Sequence, residues 1–156
     1  MKTGDIVFVR GKSPISRFVK WFDGGPFSHV AIAVSSAHIL EAQYYTRSRI
    51  TPFRFQDYEI LDLGLTEEQR DQVQKLSIQL VGKWYDYSQI IGYVISRFFR
   101  KSRRNLFNSP NNLICSELIQ VILQEIGWNY VDIPKDVTPN QLYLLLEKAI
   151  KEKNQG

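Results

Sequence analysis

Apolar positions in the first third of the chain fall in short runs, "DIVFVR", "HVAIAV", "ILEAQ" and "YEILDL", rich in β-branched and aromatic residues and separated by Gly, Pro and Ser. Such runs read as strands. Between the first two, "SPISRFVKWFDGG" offers Ser13 as an N-cap, Pro14 at the first helical position and Gly24 as a stop, which predicts one short helix. The period then lengthens. "TEEQRDQVQKLSIQLVG" opens with Thr66 and Glu68, carries Val73, Leu76 and Leu80 at helical spacing and ends on Gly82. "YSQIIGYVISRFFR" is a second long helical segment, "NLICSELIQVIL" a third, and "TPNQLYLLLEKAI" a last one with Thr138 as cap and Pro139 in its first turn. The polar tail, residues 151–156, is expected to fray.

Strands first and helices afterwards predict an α+β domain, an antiparallel sheet covered on one side by helices. With 156 residues, 44% of them hydrophobic, the chain suits one core, placed in a single domain over residues 1–150. One cysteine excludes an internal disulfide, and two histidines with one thiol fall short of a structural zinc cluster, so no metal or other cofactor is expected. The amino terminus lacks the apolar core of a secretory signal, and no run of about 18 apolar residues marks a membrane span. The expectation is a soluble, cytoplasmic protein.

The formal charge is +4, much of it concentrated in "RFFRKSRR", where Arg97, Arg100, Lys101, Arg103 and Arg104 crowd together. The cluster fits a solvated helix end, since cations are favourable near a helix carboxyl terminus. It could also make weak contact with an anionic membrane surface. Two adjacent phenylalanines make a poor stacking platform, so nucleic acid is not an expected partner.

The single thiol, Cys115, stands near the start of an apolar helix. A thiol becomes a nucleophile only as thiolate, which calls for a nearby imidazole, a helix amino terminus or both. If Asn111 or Asn112 caps the helix, Cys115 falls in or near the first turn, where unpaired N–H groups favour an anion and could stabilise an oxyanion. Cys115, Ile119, Ile122 and Ile126 share one stripe, so the thiol faces the core, as a buried structural cysteine also would.

Its partner is sought on a strand. In "SHVAIAV" the period of two places His29 with Ala31 and Ala33 on one face and Val30, Ile32 and Val34 on the other. The small alanines suggest close approach of a helix end on the histidine face. A third group would orient the imidazole. Glu41 in "ILEAQ" shares a face with Ile39 and Gln43 and is preferred; His38, on the opposite face, is the rival.

"GDIVFV", "SHVAIAV", "ILEA" and much later "ICSELI" together resemble the circularly permuted branch of the NlpC-type papain-like hydrolases, in particular the YiiX-like proteins with their poxvirus relatives. In ordinary members the cysteine helix precedes the histidine strand; here it follows. The resemblance spans the chain from Gly4 to the helix after Cys115. It implies a small antiparallel sheet curled toward a barrel, with Cys115 as nucleophile, His29 as general base and Glu41 as orienting group. "GKWYDY" resembles a segment whose tyrosine lines the oxyanion site, which makes Tyr85 a candidate substrate-binding residue, although a whole helix intervenes before Cys115.

The resemblance implies a cysteine peptidase or amidase that opens a short peptide or isopeptide bond through a thioester, with cell-wall peptide as one substrate class. Two alternatives remain open: a lipid acyl hydrolase or acyltransferase, because lecithin retinol acyltransferase-like proteins share the permuted order, and a binding module that has lost turnover. The oligomeric state is not legible.

Overall fold

The computed structural model describes residues 1–42, 48–82, 110–134 and 137–155. The basic cluster and Tyr85 lie outside the described residues, as does the helix expected over "YSQIIGYVISRFFR".

Five strands build an antiparallel sheet: β1 (Ile6–Val9), β2 (His29–Ala33), β3 (His38–Glu41), β4 (Arg49–Pro52) and β5 (Tyr58–Leu61). Their order is β4-β3-β2-β1-β5. Among the described residues the sheet is open, with β4 and β5 at its edges, rather than closed into a barrel. The helices are α1 (Pro14–Asp23), α2 (Glu67–Leu80), α3 (Pro110–Glu125) and α4 (Pro139–Gln155). The architecture is α+β. Among the described residues no helix is long and apolar enough to cross a membrane.

The local signals act much as the sequence suggests. Ser13 Oγ accepts from Ser16 N at 3.0 Å at the start of α1, and Gly24 ends that helix in the left-handed region. Thr66 closes a reciprocal capping box on α2 with Gln69, not with an acidic residue. Thr138 and Gln141 form the equivalent box on α4, each side chain meeting the other's backbone N–H at 3.2 Å. The tail departs from expectation. Residues 151–155 continue α4, and Lys153 Nζ donates to the Gly64 carbonyl at 3.0 Å.

The bulky faces of β1 and β2 meet the helices. Ile6, Phe8, Val30 and Ile32 join Leu118, Ile119, Ile122 and Leu142 in the main core. Ala31 instead joins Val7, Val9 and Ile39 in a smaller cluster on the other face, with Met1, Phe53 and Phe55 packed against it. Helix α3 therefore rests on the valine-isoleucine face of β2, not on the alanine face. Burial decides the matter: large β-branched side chains gain more from helix contact than alanines do.

The "GD" pair has a structural task. Gly4 adopts φ 88°, and a Cβ there would collide with Leu65. Asp5 Oδ2 accepts from Lys2 N at 2.6 Å, while Oδ1 lies 3.5 Å from Arg70 Nη1. Arg70 also donates to the Thr3 carbonyl and, at 3.3 Å, to Asp62, tying α2 to the lead-in of β1.

Candidate active site

Strand β2 begins at His29, so its imidazole stands at the end of the sheet, where a group from either face can reach it. Antiparallel pairing sets Ile32 opposite Leu40 and Ala33 opposite Ile39, which places Glu41 one step beyond, on the face that carries Ala31 and His29. There His29 Nε2 meets Glu41 Oε2 at 3.0 Å. The carboxylate is only 2% exposed. Being ionised, it accepts, and Nε2–H donates. That bond leaves Nδ1 as the ring nitrogen available to sulfur.

Sulfur arrives from the helix side. Cys115 is 4% exposed and belongs to the main core, yet its thiol hydrogen-bonds the His29 side chain and is met by the Val30 backbone N–H. The structure thus brings Cys115, His29 and Glu41 into one hydrogen-bonded chain, drawn from three elements. The helix contributes differently from the sequence reading. Among the described residues α3 begins at Pro110, so Asn111 and Asn112 are inside it and Cys115 lies at least five residues in, beyond the first turn. Its own N–H lies beyond the four unpaired donors of the helix start. The thiolate is favoured by the imidazolium and by a strand N–H instead.

Electrostatics follow from these contacts. Burial pushes the His29 pKa down, but hydrogen bonds to Cys115 and Glu41, together with their charges, overcome it and raise the group to about 9. Burial pushes the Cys115 thiol up, and the hydrogen bond and charge of His29 outweigh that, holding it below its ordinary value. Glu41 behaves likewise: desolvation acts upward, while His29 and then Arg49 hold the carboxyl below its ordinary range. All three shifts act in the direction that favours a thiolate-imidazolium pair backed by a carboxylate.

Two further groups complete the surroundings. Phe55 presents its ring to the imidazole edge-to-face, centroids 5.9 Å apart. Arg49, unnoticed in the sequence, donates to Glu41 Oε1 from Nε at 3.1 Å and from Nη2 at 2.9 Å. It stands directly opposite Glu41 in the β3–β4 pairing. The signal that could have found it was "RIT", a β-branched run eight residues beyond Glu41, once recognised as a strand.

The rival histidine is elsewhere. His38, the first residue of β3, is exposed and its Nδ1 faces Ser35 Oγ of the preceding turn at 3.4 Å. Such a chain of thiol, imidazole and carboxylate can generate a nucleophile and carry its proton to a leaving group. In comparisons with known proteins, the chain matches no family model and no curated protein.

Proposed function

We propose that the protein is a cysteine hydrolase that opens an amide bond of a short peptide or isopeptide. The observation that carries the reading is the hydrogen-bonded series Cys115, His29, Glu41, in which the imidazole is raised to about 9 and the thiol lowered. A buried structural cysteine needs no imidazole, and an imidazole of that basicity stays protonated at neutral pH, as a general acid requires. The motif order supports the same reading through its resemblance to the permuted NlpC-type enzymes, with their papain-like fold.

The reaction uses groups already in place. Thiolate Sγ attacks the carbonyl carbon, forming an S–C bond. The imidazolium, which holds the proton originally on the thiol, gives it from Nδ1 to the departing amine as the C–N bond breaks. Water then adds to the thioester carbonyl, losing a proton to Nδ1, and the S–C bond breaks to release the carboxylic acid and restore the ion pair. Glu41 keeps Nε2 protonated throughout, so that Nδ1 is always the nitrogen that exchanges the proton.

Mass spectrometry after incubation with a mixed panel of muropeptides and phospholipids tests this reading. An acyl adduct on Cys115 from a peptide, together with release of its amine, is the expected result. His29→Ala should slow adduct formation by about 10²–10⁴-fold. An adduct from phospholipid alone would replace the amide with a lipid ester as substrate. No adduct from any member of the panel would leave a binding module as the better reading.

A further inference from the structure

We infer that Arg49 is a positioning residue for the Cys115–His29 pair, acting through Glu41. The inference rests on the proposed hydrolase reading and assigns its acid limit. Glu41 has two oxygens with separate duties: Oε2 takes His29 Nε2 at 3.0 Å, and Oε1 takes both the Nε and the Nη2 of Arg49. The guanidinium fork fixes the plane of the carboxylate, so the lone pair on Oε2 is aimed at the imidazole. Lysine, with a point charge on a flexible stem, could not fix it in that way.

Arg49 also helps His29 to hold Glu41 in its charged form. A carboxylate 2% exposed is costly to keep charged without partners. The charged groups that face it among the described residues are His29 on β2 and Arg49 on β4, with Cys115 on α3 reached through His29. Arg49 is 51% exposed and carries a permanent charge, whereas the charge of His29 depends on the pair it serves. Without Arg49, acid would protonate Glu41 sooner. A neutral carboxyl no longer holds the imidazolium by charge or fixes its orientation by accepting from Nε2–H, so the cation is no longer aimed at the thiolate. Loss of Arg49 therefore acts on the acid side. Near neutrality His29 still keeps Glu41 ionised, and removing a nearby cation does not weaken the imidazolium.

The test is the rate of Cys115 alkylation by iodoacetamide from pH 4 to 9, in the intact wild type, Arg49→Gln and Arg49→Lys, with circular dichroism to confirm folding at each pH. Arg49→Gln is expected to move the acid limb up by about one pH unit, a roughly tenfold slower reaction on that limb, with rates at pH 8 within about twofold of wild type. Arg49→Lys should restore part of the shift, since it keeps the charge and loses the fork. Superimposable profiles for wild type and Arg49→Gln would overturn the inference, as would slowing by one common factor at every pH, the mark of a structural defect. Failure of the hydrolase reading looks different: a wild-type thiol that gains reactivity only near pH 8.5, like a free cysteine.

Discussion

The imidazole of His29 is the residue on which the proposed chemistry turns, and its titration gives a two-sided expectation. In the proposed hydrolysis the imidazolium is the proton donor to the leaving amine, so turnover should fall as pH rises through about 9, when that proton is lost. Alkylation needs only the thiolate and should not fall there. Hydrolysis and alkylation measured on one preparation should therefore part company above pH 9; parallel curves would remove His29 from the proton transfer. Stability carries the same signature. The stabilisation from His29 is complete below 6.5, its ordinary value, and is lost as pH rises through about 9. The Cys115 contribution runs oppositely, complete above 9.0 and lost as pH falls through its lowered folded value. Where the two intervals overlap, below 9, the slopes oppose one another, and the Glu41 contribution is already complete above 4.5. Urea unfolding of the wild type against Cys115→Ala/His29→Gln should show a stability difference that varies less with pH where the two contributions overlap than either would alone.

At the level of elements, the strands and caps show what was legible in the sequence and what was not. Cys115, His29 and Glu41 could be singled out because each carries reactive chemistry inside an apolar run. Arg49 could not, because its meaning lies in a register: it matters only as the cross-strand neighbour of Glu41, and β4 is four residues long and ends in Pro52. The alanine face misled for a related reason. Small side chains permit close approach without demanding it, and α3 went where the larger apolar surface lay. Asn140 was hidden too. Its amide accepts from Phe27 N and donates to Phe27 O, both at 2.8 Å, and also donates to Asp23 at the end of α1. A side chain on α4 thus takes the place of a neighbouring strand two residues before His29. Asn140→Ala would leave a buried N–H and C=O without partners, which costs on the order of 2–4 kcal/mol. Denaturant unfolding should register that loss, and amide exchange at Phe27 should accelerate more than exchange within β1. Uniform acceleration would mean that Asn140 serves the whole molecule rather than this approach to the site.

Across the whole molecule, the site joins the two sides of an open sheet. Glu41 and Arg49 belong to β3 and β4, the imidazole stands at the first residue of β2, and sulfur comes from a helix packed on the opposite face. Such a meeting is available only at a strand end, because a closed sheet interior would separate the two faces by the backbone itself. Stability and reactivity are therefore carried by different parts of α3. Two turns beyond Cys115, Ile122 is wholly buried against the main core. Seven residues of helix separate the two by about 10 Å, far enough for their effects to be independent. Ile122→Ala should cost roughly 2–5 kcal/mol, since it removes methyl groups and leaves a cavity that rigid neighbours cannot fill. The folded fraction should nevertheless keep the wild-type dependence of Cys115 alkylation on pH, because His29, Glu41 and Arg49 are held by strand pairing and not by that side chain. Alkylation profiles taken well below the unfolding transition check the separation. An acid limb displaced together with the lost stability would show that helix packing, rather than the pairing of β2, β3 and β4, holds the thiol to its imidazole.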